Sequence, residues 1–502
     1  MPFSDRRRRI NFGLNIFLGW HIYLLMSVDT VLRPDIVNYK TVPQHNGRYR
    51  LRKLMLNNVN GQEITLAASS TTLAEFKIPA GTVFNPARTI LDYQLTCAAE
   101  ANKVIWSFQD TIPEVASIQF GNASGVYLVD LQYANNYVSV ARKIDTDQLT
   151  FHSNDITSGL NPTSTTRADN IFPPTVTVPP NNTYGVADAT YAYPLSHPEP
   201  QYAVHSVALA DPLIVARSIP LSAFTHTALA MDRDMIFGEE MYIRIQLAPS
   251  SKVVFTTTAL NDPTTAAVVA AANQPKLQQI TMRLAVQVDD EVEKYVRAKF
   301  LAGQMSFTFP YVYGWRTGTT QAGTVSVQYQ MTNQFGKKLK RVLHTVMPAT
   351  ETLNEAFNHE NMNGSKLDQY QTAIDSQPLQ DDRLSCRQPV AGLPAAGGNP
   401  ATVAFRGMDD WRENKHLLKG SAIQSSAAYY LSWFHCDSFS NPKRESSVLV
   451  PESNILEGLD LTQARTWSFT ANAVANLAHY TFAEFVREVH ASPLGPTEIR
   501  VA

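Results

Sequence analysis

The chain is poor in cysteine and in net charge, and both shortages exclude classes of protein. Its three cysteines, Cys97, Cys386 and Cys436, are far apart and none lies in a CxxC pair. A disulfide framework and a zinc site are therefore not expected, and buried free thiols suit assembly in a reducing compartment. The formal net charge is -2, so the folded body has no general attraction to nucleic acid, and no sequence-specific nucleic-acid partner is predicted.

The sequence also lacks the motifs that carry catalysis. Its 12 histidines do not cluster, and it contains no HExxH, GxSxG, Walker or GxGxxG pattern. The nearest approaches to a metal or acid–base site are His359-Glu360, Asp381-Asp382 and Asp232-Arg233-Asp234. We interpret the first two as solvated loop residues and the third as helix-end capping. We therefore predict no catalytic, cofactor-binding or metal-binding residue, no cofactor and no enzymatic activity.

The first 28 residues combine a basic run, Arg6 to Arg9, with a mostly apolar stretch. A signal peptide would need a small-residue cleavage site, which is lacking. A membrane-spanning helix would need about 20 apolar residues without the asparagines and histidine found here. Two interpretations stay open. The segment is either an interfacial arm, with Trp20 and Tyr23 at a lipid surface, or an extension upstream of a natural start at Met26.

The rest of the chain has the composition of a folded protein with several domains. Its 502 residues exceed what one hydrophobic core supports, so two or more domains are expected. The 29 prolines, with many Thr, Asn and Ser, indicate long surface loops between short strands. Two long irregular regions stand out, residues 154–200 and 351–405, and loops of that length are either functional or disordered.

Alternating runs predict about eight short strands in each half of the chain. In the N-terminal half they include residues 49–58, 69–78, 91–97 and 104–108. In the C-terminal half they include residues 325–331, 337–347, 467–469 and 480–489. A helix is predicted over residues 127–141, where the apolar residues that share one helical face are Tyr127, Leu131, Ala134, Val138 and Ala141.

The segment from Arg217 to Leu247 predicts a short helix followed by a strand. Pro220 can occupy the first helical position, because a helix makes no hydrogen bond from that nitrogen. The apolar residues at 221, 224 and 228 would share one face of this helix. After Gly238, apolar and polar residues alternate up to the end of the segment, which is typical of a half-buried strand.

The segment from Gln279 to Trp315 predicts a strand, a helix and a second strand. Apolar residues alternate over 280–288 and again over 305–315. Between them, Asp289 and Asp290 suit a helix N-terminus, because carboxylates accept hydrogen bonds from its free N–H groups.

These two segments carry a resemblance to a known family. IPLSAFTHTALAMDRDMIFGEEMYIRIQL resembles the segment that closes the first half of double jelly-roll major capsid proteins, and ITMRLAVQVDDEVEKYVRAKFLAGQMSFTF resembles the one that opens their second half. The likeness is to polinton-like virus and virophage capsid proteins, in the lineage of adenovirus hexon, over residues 27–490. It implies an all-β fold of two eight-stranded antiparallel jelly-roll barrels side by side, with short inserted helices and long loops.

The composition of its segments and the resemblance together divide the chain into four parts. An N-terminal basic and apolar segment covers residues 1–28, a first jelly roll 29–250, a Ser-, Thr-, Ala- and Pro-rich linker 251–276 and a second jelly roll 277–502. By the same resemblance, residues 154–200 form an outward-facing tower, with disorder as the alternative.

Two functions from different classes remain in view. The resemblance implies a major capsid protein that forms pseudo-hexagonal homotrimers and tiles an icosahedral virion shell, assembled in the host cytoplasm or nucleus. Its partners would be neighbouring capsomers, penton and minor capsid proteins, and an internal membrane reached through residues 6–25. The alternative is a secreted lectin-like or carbohydrate-active β-sandwich protein.

The alternative function would use two aromatic segments, residues 307–315 and 429–434, as a sugar-binding face. Strict alternation places much of this aromatic surface in a core, and no assignable pair of carboxylates flanks it. Both observations favour the capsid interpretation. Asn122, Asn181 and Asn363 begin N-glycosylation tripeptides, but a chain this rich in Asn, Ser and Thr contains such tripeptides by chance, and we assign them no function.

Overall fold

The structure is a computed structural model, and its elements are mostly β-strands. It describes residues 48–56, 63–108, 112–145, 204–206, 212–258, 267–303, 305–317, 323–348, 367–379, 383–385, 434–439, 458–473, 477–493 and 497–500. The N-terminal half contains β1 (Tyr49–Leu54), β2 (Glu63–Thr65), β3 (Thr72–Ile78), β4 (Phe84–Cys97), β5 (Val104–Phe108), β6 (Val115–Asn122), β7 (Tyr127–Gln132), β8 (Val204–Ser206), β9 (Leu213–Pro220), β10 (Met241–Leu247), β11 (Val254–Thr257), β12 (Ala267–Val268) and β13 (Lys276–Gln287).

The C-terminal half contains β14 (Met305–Arg316), β15 (Gly323–Met331), β16 (Lys338–Pro348), β17 (Leu367–Ile374), β18 (Gln377–Pro378), β19 (Leu384–Ser385), β20 (Phe434–Ser438), β21 (Leu459–Asp460), β22 (Arg465–Ala473), β23 (Leu477–Ala491) and β24 (Glu498–Arg500). Two α-helices accompany them. Helix α1 (Ala134–Asp145) follows β7, and helix α2 (Asp290–Leu301) connects β13 to β14.

The N-terminal strands form two facing four-stranded paths and a smaller sheet. The paths are β1-β13-β4-β9 and β3-β10-β6-β7, and the smaller sheet is β12-β11-β5-β8. If the eight strands of the two paths are counted in chain order, the first pairs with the eighth, the second with the seventh, the third with the sixth and the fourth with the fifth. A long antiparallel ribbon rolled into two sheets gives this pairing, which is the jelly roll.

The C-terminal half repeats the same pairing. Its sheets contain the paths β14-β23-β16-β20 and β15-β22-β17-β18. Counted in the same way, their strands again pair first with eighth, second with seventh, third with sixth and fourth with fifth. The prediction of an all-β fold with two eight-stranded jelly rolls is confirmed.

The sequence-based boundary between the two barrels is wrong by one strand. The sequence places residues 277–287 in the second jelly roll, but β13 pairs with β1 and β4 and is the eighth strand of the first. The alternation of β13 identifies a strand without identifying its partners. Met282 and Leu284 of β13 are fully buried, because they complete the inner face of the first barrel between its first and third strands.

The predicted linker over residues 251–276 is also wrong in part, because it contains β11, β12 and the first residue of β13. Strand β11 pairs with β5 on one side and with β12 on the other. These strands belong to the small third sheet of the N-terminal half. The chain between the barrels is therefore the helix α2, not a Ser- and Thr-rich spacer.

Two predicted helices are wrong in part. In each case a residue with a left-handed backbone conformation interrupts the helix. Pro220 ends β9, and the residues after it form two short 3-10 turns rather than an α-helix. His226 between these turns has φ +55°, which an α-helix cannot contain. The helix predicted over 127–141 begins only at α1, because its first residues are strand β7 and Tyr133 has φ +55°.

Other predictions are confirmed where the structure describes them. Helix α2 begins as predicted, since the Asp289 carboxylate accepts hydrogen bonds from the backbone nitrogens of Glu291 and Val292. Strands β10 and β14 cover their predicted segments. The region predicted to be irregular over 351–405 is wrong in part, because it contains β17, β18 and β19. Residues 154–200 lie outside the described part of the chain.

Candidate functional site at the junction of the two barrels

The described residues contain no group of three or more His, Cys, Asp or Glu side chains able to hold a metal ion. No helix within the same residues has the length and hydropathy needed to span a membrane. Buried charged groups do meet where the two barrels touch. That junction is the candidate functional site.

The sequence candidate Asp232-Arg233-Asp234 stabilises the first barrel instead. Asp232 forms a two-bond ion pair with Arg88 of β4, at 2.9 and 3.1 Å. The hydrogen bond from Arg88 is the main cause that lowers the pKa of Asp232. Asp234 accepts hydrogen bonds from Tyr49 of β1 and Gln287 of β13, at 2.9 and 2.8 Å. The interpretation as helix-end capping is therefore wrong, because a short 3-10 turn and not an α-helix precedes these residues. Their side chains connect a loop to three strands.

The remaining sequence candidates are divided between the core and the undescribed chain. Cys97 and Cys436 are buried free thiols, as predicted, and burial raises the pKa of Cys97 to about 12. Asn122 is fully buried and donates to Glu239, so the folded chain hides it from glycosylation. The candidates outside the described residues are 6–25, Asn181, His359-Glu360, Asn363, Asp381-Asp382, Cys386 and 429–433.

The aromatic segment over residues 307–315 packs into the second barrel, as predicted. Phe309 is fully buried, and Tyr311 is 4% exposed. Trp315 stacks on Tyr329 at 5.0 Å and meets Phe335 edge-on at 5.4 Å. Much of the aromatic surface that the lectin alternative would need therefore lies in the core.

The junction is centred on a buried ion pair of the second barrel. Arg341 of β16 and Glu484 of β23 are neighbours in one sheet, and both side chains point away from the barrel interior towards the first barrel. The guanidinium binds the carboxylate through two hydrogen bonds of 2.6 and 2.9 Å. The side chains are only 4% and 1% exposed. This planar two-bond geometry is the one that offsets most of the cost of burying charge.

The first barrel supplies polar groups to this ion pair. The Tyr137 hydroxyl of α1 lies 3.0 Å from Glu484 Oε1 and 2.8 Å from the backbone oxygen of Thr225, and it can donate its single hydrogen to either. His226 Nδ1 lies 3.5 Å from Glu484 Oε2. The left-handed backbone of His226 therefore has a role, since it turns the imidazole towards the second barrel. One carboxylate thus connects three segments from the two barrels.

Two aromatic pairs join the barrels beside the ion pair. Tyr137 meets Phe482 of β23 edge-on, with ring centroids 5.3 Å apart. Tyr133, the residue that separates β7 from α1, meets Tyr480 in the same way at 5.4 Å. Edge-to-face packing is the preferred geometry of aromatic pairs. The left-handed Tyr133 thus also serves the junction, because it places its ring on the second barrel.

Two glycines allow the barrels to approach at backbone distance. A Cβ on Gly314 of β14 would lie 2.8 Å from the Gln132 carbonyl oxygen of the first barrel. A Cβ on Gly238, in the first barrel, would lie 2.7 Å from the Ser492 carbonyl oxygen of the second. Neither space admits a side chain unless backbone moves.

A second polar contact lies beside Gly238. Glu239 Oε1 accepts hydrogen bonds from the Asn122 amide, at 3.0 Å, and from the Thr497 backbone nitrogen, at 2.7 Å. Burial alone would raise the pKa of Glu239, but these hydrogen bonds outweigh it and lower the pKa. The end of the second barrel is thereby held to the first, and the junction is attached at two places.

Gly314→Ala is expected to lower the free energy of unfolding by about 1–3 kcal/mol, because the new methyl group overlaps the Gln132 carbonyl and pushes the barrels apart. Denaturant unfolding would measure the change. Gly303→Ala is the control, since Gly303 has φ +67° but nothing within 4 Å, and it tests backbone strain of about 1 kcal/mol alone. Equal costs at the two positions would contradict the steric explanation.

Sequence reasoning assigned none of these residues to a contact between the barrels. Glu484 carried a weak signal, since it interrupts the otherwise apolar run TFAEFV. A charged residue at such a position needs a buried partner. Its partners lie 143 and 347 residues away in the sequence, so the partners themselves left no local signal.

No protein-family model and no curated protein matches the sequence. Solved structures do match in fold. A chain of the Sputnik virophage structure is 9% identical, and the alignment covers 100% of this chain and 93% of that one with a TM-score of 0.50. The mavirus major capsid protein is 10% identical over 100% and 96% of the two chains, with a TM-score of 0.42.

A chain of Sulfolobus Turreted Icosahedral Virus is 11% identical over 87% of this chain and 91% of its own length, with a TM-score of 0.40. Of these three likenesses, the one to the Sputnik chain has the TM-score that supports a comparison of folds, and at 9% identity it concerns the fold alone. It agrees with the pairing order found in each half. The chain has the double jelly-roll fold, as its resemblance to that family implied.

Proposed function

We propose that this chain is a major capsid protein whose role is structural rather than catalytic. The observation that carries the proposal is the repeat of one jelly-roll pairing order in both halves, joined by a buried polar junction. A chain built this way is a rigid two-barrel block. The fold is shared along nearly the whole length of a chain from a virophage particle.

Three such blocks provide six similar barrels, and six barrels in a ring give a pseudo-hexagonal capsomer suited to near-sixfold packing in an icosahedral shell. The formal net charge of -2 suits this role, because many copies must pack without strong mutual repulsion. Penton and minor capsid proteins would be further partners. Residues 6–25 would face an internal membrane, and the virion would assemble inside the host cell.

The full chain is expected to be a stable homotrimer in solution. Light scattering would give its mass, and negative-stain images of the same peak would show a hexagonal outline. A start at Met26 is expected to leave the trimer unchanged if the upstream segment only contacts lipid or is an extension. A monomer that binds glycans would overturn the proposal and support the lectin-like alternative.

A further inference from the structure

Helix α2, which connects the barrels, carries apolar residues on two faces, and the barrels cover only one of them. On the covered face, Phe300 is 6% exposed and Val296 packs against the core. On the other face, Tyr295 is 53% exposed and Leu301 is 71% exposed. A helix that packs on a single surface has one apolar stripe and a polar opposite face. The apolar residues on the outward face of α2 therefore suit a second element that would cover them.

These outward residues form a strip rather than isolated side chains. Ala298 lies three residues after Tyr295, and Leu301 and Ala302 lie three and four residues after Ala298. Residues at these spacings are neighbours on a helix surface, and all four are exposed. Isolated exposed apolar residues are ordinary, but a row of neighbours at these spacings is the arrangement that a docking segment uses as anchors. We refer to these four residues as the α2 strip.

The chain enters the described structure beside the α2 strip. The first residue that the structure describes is Arg48, and its carbonyl oxygen accepts a hydrogen bond of 2.8 Å from the backbone nitrogen of Val288, two residues before α2. The helix has 12 residues and is about 18 Å long. The segment over residues 28–47, fully extended, would span up to about 66 Å. It is therefore long enough to follow the whole of α2 from the point where the chain enters.

The composition of residues 28–47 also suits this contact. Its apolar residues are Val28, Val31, Leu32, Ile36, Val37, Tyr39 and Val42. Its charged residues balance one another, and so do those of α2: Asp29 and Asp35 against Arg33 and Lys40, and Asp290, Glu291 and Glu293 against Lys294, Arg297 and Lys299. Lys40 is the charged residue of the segment closest along the chain to α2, whose acidic residues all lie in its first turn, at that same end. Neither surface repels the other, and burial of apolar area is left to drive docking.

We propose that residues 28–47 dock on the α2 strip of their own chain. The connection at Arg48 favours this occupant, because a tethered segment is present at an effective concentration in the millimolar range, above that of a separate partner. The segment is retained whether the natural start is Met1 or Met26, so docking is expected with either start and is independent of the capsid role. Helix α2 then lies between the barrels on one side and the N-terminal segment on the other.

Hydrogen exchange of the full chain, measured peptide by peptide with mass spectrometry, tests this contact. The backbone amides of residues 28–42 are expected to exchange at least about tenfold more slowly than those of a free peptide of the same sequence. Leu301→Asp replaces the most exposed apolar residue of the α2 strip with a charge and is expected to abolish this protection. Tyr295→Asp is a second variant with the same expected result, and circular dichroism checks that both fold.

Val268→Asp is the matched control. Val268 is 39% exposed, but it belongs to β12, which precedes β13 in the chain, whereas α2 follows β13. Its replacement is expected to leave the exchange of residues 28–42 unchanged. Unprotected amides in the wild-type segment would overturn the proposal. Protection that survives both Leu301→Asp and Tyr295→Asp would also overturn it, because the segment would then dock elsewhere. If one variant fails to fold, the other decides.

A pair of introduced cysteines shows which copy of the chain supplies the segment. In the double variant Ile36→Cys, Leu301→Cys, a flexible bifunctional maleimide is expected to join the two positions within one chain. Peptide mass spectrometry would identify the cross-link, and a denaturing gel would show a product with the mass of a single chain. The single variants are the controls, since each lacks one end of the cross-link. A product with the mass of two chains would overturn docking within the chain and assign the α2 strip to a second copy.

Discussion

Glu484→Gln is expected to lower the free energy of unfolding by about 3–5 kcal/mol, the cost of leaving one member of a buried ion pair without its partner. The substitution keeps the shape of the side chain and removes only its charge. Arg341 would then hold a positive charge with 4% of its side chain exposed to solvent. Denaturant unfolding followed by circular dichroism would measure the loss.

Glu488→Gln on the same strand is the control for this experiment. Glu488 pairs with Lys337 at 2.8 Å, but its side chain is 29% exposed and that of Lys337 is 37% exposed. Solvent screens such a pair, so the expected loss is below about 1 kcal/mol. Similar losses for Glu484→Gln and Glu488→Gln would mean that burial of the junction does not determine its stability.

The form of the transition carries further information, because the ion pair is contacted by both barrels. In the wild-type chain, unfolding of one barrel uncovers Glu484, so the barrels are expected to unfold in a single step. Weakening the junction is expected to separate this step into two, one for each barrel.

Tyr137→Phe is a milder version of the same change. It removes one hydrogen bond across the junction and is expected to cost about 1 kcal/mol.

The second large effect is a loss of stability in acid, caused by a histidine pair inside the second barrel. His344 Nδ1 lies 3.1 Å from His479 Nε2, and Thr481 Oγ1 lies 3.2 Å from His479 Nδ1. The His479 ring stacks on Phe469 at 4.4 Å. Burial lowers the pKa of His479 from 6.5 to about 3. The folded barrel therefore holds this imidazole neutral.

The direction of the pH effect follows from that shift. Below pH 6.5 the unfolded chain binds a proton at His479 that the folded chain does not bind until about pH 3. Stability is complete above pH 6.5 and falls as the pH decreases, by up to about 1.4 kcal/mol per unit. The loss from this residue between pH 6.5 and pH 4 is roughly 3 kcal/mol.

His479→Gln is expected to reduce the dependence of stability on pH over this range, although it also lowers stability at neutral pH by disturbing the core. The readout is the slope of unfolding free energy against pH, not its absolute value. His490→Gln on the same strand is the control, because His490 is only partly buried and its replacement should retain the wild-type slope. An unchanged slope in His479→Gln would show that the acid sensitivity arises elsewhere.

The sequence predicts elements better than it predicts partners. Alternation located β10 and β14, and the two aspartates located the start of α2, because these signals are carried by adjacent residues. The residues of β13 indicate a strand but not which strands it pairs with, and for that reason the predicted boundary puts β13 in the wrong barrel. Pairing a first strand with an eighth depends on residues as distant as Tyr49 and Gln287.

The junction escaped prediction for two physical reasons. Tyr133 and His226 both adopt left-handed conformations that bulky side chains rarely take, and nothing in their local sequence marks them. Their strain is stabilised by contacts with Tyr480 and Glu484 in the other barrel. Such contacts exist only after both barrels have formed, whereas the spacing of apolar residues at each position is typical of a continuous helix.

The pairing of first and last strands also determines when each barrel can close during synthesis. Strand β1 cannot pair until β13 has been synthesised. At translation rates of about 5–20 residues per second, this takes roughly 10–50 seconds. An unpaired strand exposed for so long is a site of aggregation. Arg50, Arg52 and Lys53 of β1 are all exposed, and charges on such a strand discourage pairing with other nascent chains. The charged residues of β1 thus reduce its tendency to aggregate until β13 has been synthesised and pairs with it.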